Sequence, residues 1–159
     1  MKRKVTQTTA FDCGDGEHQV VSLNTSAGDE PMLHRREPCE ECPWRSDVPT
    51  GVFPAEAFRH SASTAYDMAP NTFACHMSGR DKPATCAGFL ISGATHNLGI
   101  RLAIIAGRYD PRSVRSDAPL YQSYREMAVA NGVQPDDPAL ARCRGVDEVA
   151  VYSSYKETE

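Results

Sequence analysis

Four cysteines have the residue type and spacing of a metal centre. Two of them, Cys39 and Cys42, form a Cys-x-x-Cys pair, whose two intervening residues let both thiolates face one ion or cluster from a single turn. Cys75 and Cys86 follow later in the chain and can supply the two ligands that complete a four-coordinate shell. The sequence therefore predicts a metal centre held by Cys39, Cys42, Cys75 and Cys86.

Two kinds of metal centre use four cysteine ligands. One Cys-x-x-Cys with two remote cysteines is usual for an iron–sulfur cluster, and Pro43 directly after Cys42 resembles the Cys-Pro of ferredoxins. Structural zinc also takes four thiolates, but often from two regular knuckles, and this sequence has one. We therefore favour an iron–sulfur cluster, as [4Fe–4S], and keep Zn²⁺ as the alternative. A third interpretation is that the cysteines are free thiols, buried as small hydrophobic residues.

Other residues near the cysteines are candidates for a supporting role. His76 directly follows the third cysteine, and could replace a cysteine as ligand or form a hydrogen bond with a sulfur. Arg45 follows the first pair, and its charge would balance that of the thiolates. Cys13 and Cys143 are interpreted as plain thiols, with Cys143 as a spare ligand. His96 is interpreted as a capping or buried hydrogen-bonding residue.

Helices and turns must bring these cysteines together. We expect one helix from residue 54 to about 68, a second over 94–106 and a third over 119–131, because apolar side chains recur there at helical spacing. A short strand is expected over 19–23. The prediction is a mostly α fold, with a small α+β fold as the alternative. In either case short strands and a cysteine-rich, metal-bound loop region belong to a single compact domain.

Composition and turn residues suggest how the chain is divided. The 159 residues are 40% hydrophobic, which is enough for one modest core. We predict a flexible or irregular arm over 1–36, a metal-binding domain over 37–144 and a polar tail over 145–159. No apolar run is long enough to span a membrane, and the basic start lacks the apolar stretch of a secretory signal. A cytoplasmic protein is therefore expected, in which thiols stay reduced and available for metal or redox chemistry.

Arginine is locally enriched in the second half of the chain. The overall net charge of −4 does not favour a globally basic nucleic-acid binder. Between residues 97 and 144, however, seven arginines stand against five acidic residues. Four of them are candidates for contacting an acidic protein partner or, with weaker support, the phosphates of a nucleic acid: Arg101, Arg108, Arg112 and Arg115. The plain alternative is a solvated charged face.

Three motifs carry a resemblance to a known family. The strings CEECPWR at 39–45, FACHMS at 73–78 and CAGF at 86–89 resemble a family of small cysteine-rich proteins from actinobacteria and their phages, known only as a domain of unknown function. The resemblance continues to CR at 143–144 and covers most of the predicted domain. It implies a phage or actinobacterial setting and no particular activity. A weaker likeness, in chemistry only, is to the WhiB-like iron–sulfur regulators.

These observations favour a metalloprotein that works by binding. We expect a regulatory or adaptor protein that contacts a protein partner, such as transcription machinery or a host factor, inside a bacterium or a phage-infected bacterium. Neither an H-E-x-x-H motif nor a thioredoxin context accompanies the cysteines, so the sequence leans against an enzyme and predicts no catalytic residues. An iron–sulfur redox or metal-dependent enzyme is the first alternative, and a structural zinc module is the second.

Overall fold

Short helices and a small sheet make up the part of the chain that the computed structural model describes, residues 7–24, 29–79 and 81–145. The strands are β1 (Gln7–Asp12), β2 (Gln19–Asn24) and β3 (Asn71–Phe73). The α-helices are α1 (Ala55–Ser61), α2 (Ala87–Ser92), α3 (Leu98–Ile105) and α4 (Tyr124–Ala130). Four 3₁₀ turns lie at Ala62–Ala65, His76–Ser78, Pro111–Ser113 and Pro138–Leu140.

The three strands form one antiparallel sheet in the order β1-β2-β3. The turn between β1 and β2 closes on Asp15, whose carboxylate accepts from the backbone N–H of His18 at 2.8 Å. In the middle strand Leu23 is 1% exposed and pairs in register with Thr72 of β3. The strand predicted over 19–23 is therefore confirmed as β2, and it connects the N-terminal hairpin to the segment that leads into Cys75.

The prediction of a mostly α fold is wrong, and the domain is α+β. One reason is that the helix predicted over 119–131 begins only at Tyr124, where the side chain of Ser123 accepts from the backbone N–H of Glu126 at 3.1 Å. The residues before it, 119–121, are not helical. They pair with residues 44–46, which directly follow the turn of Cys39 and Cys42. The N–H of Tyr121 donates to the carbonyl of Trp44 at 2.9 Å, and the N–H of Ser46 to Pro119 at 3.0 Å.

The other two predicted helices are also shorter than their apolar patterns. α3 starts at Leu98 because the side chain of Asn97 accepts from the backbone N–H of Ile100 at 3.0 Å, which caps the helix there. It ends at Ile105, and Gly107 follows as the predicted stop, with a positive φ of 70° that suits the position after a helix. α1 ends at Ser61 and continues as the 3₁₀ turn at Ala62–Ala65.

The core forms around Trp44, which is fully buried. Its ring packs against Phe73, Phe89 and Tyr124, with ring centroids 5.7 to 6.3 Å away. These three partners come from β3, α2 and α4, so one side chain joins the sheet to two helices. Because Trp44 follows Cys42 by two residues, the centre of the core and the first cysteine pair are fixed together.

The predicted arm and tail are only partly covered. The arm over 1–36 contains β1 and β2, while residues 1–6 and 25–28 lie outside the described residues. Of the tail over 145–159, only Gly145 is described. No helix in the described ranges is long and apolar enough to cross a membrane.

Candidate metal centre

The first two cysteines lie on one tight turn. The backbone N–H of Cys42 donates to the carbonyl of Cys39 at 3.2 Å, and the N–H of Arg45 donates to the carbonyl of Cys42 at 3.0 Å. Cys42 is 1% exposed, whereas Cys39 is half-buried at the rim. The turn is held from behind by the pairing of residues 44–46 with residues 119–121. The Cys-x-x-Cys pair thus sits on a braced loop.

The other two cysteines lie on two segments that pair through their backbones. The N–H of Cys75 donates to the carbonyl of Ala84 at 2.7 Å, and the N–H of Cys86 donates to the carbonyl of Phe73 at 2.9 Å. The hydroxyl of Ser78 accepts from the N–H of Ala84 at 3.0 Å and shapes the connection. Both cysteines are buried, and Cys86 directly precedes α2.

The structure brings all four predicted cysteines together. The Sγ atoms of Cys42 and Cys86 lie 3.6 Å apart. Cys42 and Cys75 both shift the pKa of Cys39, which places Cys39 between them, and we call the sequence Cys75, Cys39, Cys42 and Cys86 the cysteine row. All four are free cysteines. As placed, however, no three His, Cys, Asp or Glu side chains in the described ranges form a group that could hold a metal ion.

The electrostatics of the row favour neutral thiols. The pKa of Cys42 is raised to about 12: the interaction with Cys39 lowers it, but the hydrogen bond with Cys86 and burial outweigh that effect. The hydrogen bond with Cys39, followed by burial, raises the pKa of Cys75 well above that of a free thiol, against the opposing effect of Arg35. Packing several sulfurs into a buried site makes each thiolate costly unless a cation joins them.

An arginine that the sequence analysis missed donates to this row. The Nε of Arg35 lies 3.4 Å from the Sγ of Cys75. Arg35 is four residues ahead of Cys39 and 40 residues from its actual partner, so chain proximity alone does not reveal the contact. The predicted Arg45 instead pairs with Asp47 at 2.8 Å, while its Nη1 reaches the carbonyl oxygen of Cys39 at 3.5 Å. It supports the loop rather than a sulfur.

His76 lies beside the exposed end of the row. Its Nδ1 is 3.8 Å from the Sγ of Cys39, and its Nε2 is 3.8 Å from the carboxylate of Glu41. The ring also packs edge-on against Phe53, with centroids 5.0 Å apart. This position suits a hydrogen bond to the sulfur of Cys39, and His76 stays the alternative ligand that the sequence predicts.

Two glycines let the core close over the buried sulfurs. A Cβ on Gly88 would lie 2.4 Å from the Cβ of Trp44 and 3.1 Å from the Sγ of Cys42. A Cβ on Gly93 would lie 2.5 Å from the edge of the Trp44 ring. Both are closer than real Cβ atoms approach, so α2 can lie against Trp44 only because these positions lack side chains. The motif CAGF thus combines Cys86 with Gly88, the glycine that allows Trp44 to pack against α2.

Three other predicted residues lie elsewhere. The Sγ of Cys143 is directed to the carbonyl oxygens of Ala62 and Ala139, at 3.6 and 3.9 Å. Cys13 follows β1 in the hairpin. The Nε2 of the buried His96 contacts the carbonyl oxygen of Gly145 at 3.1 Å, which is the buried hydrogen-bonding role expected of it.

The four candidate arginines of the second half lie in three different settings. Arg108 is 8% exposed and its Nε donates to the carbonyl of Glu30 at 2.9 Å, so it is part of the folded framework. Arg101 is exposed on α3, with its Nε on the carbonyl of Thr95. Arg112 and Arg115 instead line a cleft of about 600 Å³ that reaches Cys39, together with Arg35, Arg36, Glu37, Pro38 and Ser113.

Comparison with known proteins identifies one family. Residues 34–144 match the model of DUF6283, a family of unknown function. The match begins just before Arg35 and spans the four clustered cysteines. No curated protein and no solved structure matches the chain.

Proposed function

The chain belongs to the DUF6283 family, and we propose that this member is a cysteine-ligated metalloprotein that acts as a regulatory or adaptor protein. Its metal would be held by Cys39, Cys42, Cys75 and Cys86. Arg35 and His76 would support the sulfurs from outside the ligand set, as hydrogen-bond partners of Cys75 and Cys39.

The spacing of Cys42 and Cys86 carries the proposal. Two thiolates on one tetrahedral zinc, each at about 2.3 Å from the ion, lie about 3.8 Å apart. The observed 3.6 Å between these sulfurs is close to that value. In a [4Fe–4S] cluster each cysteine binds a different iron, so its sulfurs stand farther apart. The distance therefore favours a single ion such as Zn²⁺, or two ligands on one iron of a smaller cluster, over the [4Fe–4S] cluster that the sequence pattern suggested.

The charges around the site also favour a cation. Four buried or half-buried thiols are difficult to ionise together without one, as the raised pKa of Cys42 illustrates. A bound divalent ion makes the thiolate the stable form, and metal binding then contributes directly to folding. Cys39 and Cys75 each have a pKa that responds to a neighbouring cysteine, so they are the thiols expected to complete the shell around that ion.

A shell of four cysteines favours binding over catalysis. Four protein ligands fill a tetrahedral ion and leave no open position for a substrate or an activated water. The metal would then stabilise the loops around Trp44, and the outer surface would contact a protein partner in the cytoplasm. A redox role is the alternative if the centre contains iron.

The test is purification without oxygen, followed by a visible spectrum and analysis of iron, sulfide and zinc. One zinc per chain in a colourless protein would support a structural or regulatory site. Iron and sulfide in equal amounts with absorbance near ~400 nm would support a cluster and the redox alternative. A folded protein with neither metal, which also fails to take up added Zn²⁺, would refute the proposal.

A further inference from the structure

The cleft beside Cys39 concentrates positive charge in a concave site. Four arginines and one acidic residue line it, and its volume is about 600 Å³. Pockets for small molecules typically measure about 300 to 1,000 Å³, so the cleft has the size for a ligand and not merely for an ion. The protein as a whole has a net charge of −4, which makes this local positive excess distinctive.

One backbone and one side-chain hydrogen bond hold the two walls of the cleft together. One wall is the segment that carries Arg35 and Arg36, and the other is the 3₁₀ turn at Pro111–Ser113 with the residues that follow it to Arg115. The N–H of Arg115 donates to the carbonyl of Arg36 at 3.0 Å, and the hydroxyl of Ser113 contacts the Nε2 of His34 at 3.1 Å. The arginines therefore project from braced segments, which lowers the ordering cost of binding.

Two of the cleft arginines have partners that a ligand could replace. Arg112 pairs with Asp110 at 3.0 Å and Arg115 pairs with Glu37 at 2.9 Å, and all four side chains are at least half exposed. Exposed ion pairs of this kind contribute little to stability, so exchanging the carboxylate for another anion costs little. Arg36 is exposed, and its side chain has no hydrogen-bond or ion-pair partner in the described part of the chain.

We propose that this cleft binds a small molecule carrying two or more phosphate groups, through Arg36, Arg112 and Arg115. The guanidinium group presents a planar fork that matches phosphate oxygens, and several phosphates are needed to use arginines from both walls. Arg35 is excluded from the set because its Nε is directed to the Sγ of Cys75. The ligand would lie against the loop of Cys39, next to the metal centre proposed above. The cleft does not depend on that centre for its charge.

The experiment is a calorimetric titration of the full-length protein, as purified, with inorganic pyrophosphate and separately with ATP. The double variant Arg36→Ala/Arg112→Ala is compared with the wild type, and Arg101→Ala, an exposed arginine outside the cleft, serves as the matched control. We expect saturable binding that weakens about tenfold for each cleft arginine removed and is unchanged in Arg101→Ala. Tighter binding of ATP than of pyrophosphate would identify a nucleotide-like ligand, and equal binding would identify the phosphates alone as the recognised group.

Metal content and melting temperature are measured on the same samples. They separate failure of the cleft from failure of the fold or of the metal site. Absence of binding by either probe, or binding that the double variant retains in full, would overturn the proposal. Binding without any bound metal would support the cleft while counting against the metal centre.

Discussion

The sulfurs of Cys42 and Cys86 lie 3.6 Å apart although 44 residues separate them in the chain. Both are buried beneath Trp44, and the Sγ of Cys42 also lies 3.1 Å from where a Cβ on Gly88 would be. The proposed metal site, the packing of α2 and the centre of the core thus share the same few atoms. A substitution that disturbs one of these three features should therefore disturb the other two as well.

Loss of a buried cysteine should remove the metal and destabilise the fold. In Cys42→Ser we expect metal content well below one per chain and a melting temperature lower by more than about 5 °C, because ligand loss forfeits binding energy that contributes to folding. Trp44, the one tryptophan of the sequence, lies beside the site and its fluorescence reports the change. Cys13→Ser is the control and should keep both metal and stability. Full metal content in Cys42→Ser would contradict the ligand assignment.

A methyl group at Gly88 should be poorly tolerated. Gly88→Ala places its Cβ 2.4 Å from the Cβ of Trp44, which is anchored to the backbone and cannot turn aside. We expect a loss of about 1 to 3 kcal/mol of unfolding free energy, as for other overpacked cores, measured by urea denaturation. Ile91→Ala, at an exposed position of the same helix, should change the stability by less than about 1 kcal/mol. Equal effects of the two substitutions would mean that α2 does not lie against Trp44.

The side chain of Asn97 should stabilise the fold by more than capping α3. Its Oδ1 accepts from the N–H of Ile100 at 3.0 Å, and its Nδ2 donates to the carbonyls of Thr64 at 3.1 Å and Asn71 at 2.7 Å. Because the side chain is 1% exposed, Asn97→Ala should cost about 2 to 4 kcal/mol by leaving these groups without partners. Asn97→Asp keeps the cap acceptor but places a carboxylate against two carbonyls. Thermal melts should show that Asn97→Asp does not recover the wild-type stability.

The stability contributed by Asp137 should depend on pH. The backbone N–H of Ala139 and then the guanidinium of Arg59 lower the pKa of this carboxyl below its ordinary value of 3.8. Since the folded pKa is the lower one, the contribution is present above the unfolded pKa and is lost as the pH falls through the folded pKa. Asp137→Asn should therefore melt earlier than the wild type at neutral pH.

The difference between Asp137→Asn and the wild type should shrink only in the acid range below pH 3.8. Asp136→Asn, at the exposed neighbouring position, is the control and should leave the melting temperature unchanged at neutral pH. A gap between Asp137→Asn and the wild type that stays constant down to the acid limit would show that the carboxylate charge is not the cause.

Local features were predictable where their cause is local. Gly107 ends α3 as predicted, because a residue that tolerates positive φ is needed after a helix. The strand over 19–23 was recognisable from its apolar run between turn residues. The lengths of the helices were not predictable from the sequence. Pro119 and Tyr121, for example, lie in an apolar pattern of helical spacing, but their backbones form hydrogen bonds with those of Ser46 and Trp44. A tertiary pairing overrode the local pattern.

The sequence by itself determined the motifs, the Cys-x-x-Cys at 39–42 and the two later cysteines at 75 and 86, from which a ligand set is predicted without reference to the fold. Only the tertiary structure decided that Cys42 and Cys86 approach to 3.6 Å, that Arg35 donates to Cys75, and that Arg36 shares a cleft with Arg112. The physical reason is the range of each interaction. A turn is set by adjacent dihedral angles, whereas these contacts join residues 40 or more positions apart. Such residues become neighbours only when Trp44 packs against Gly88 and Gly93 and the core closes.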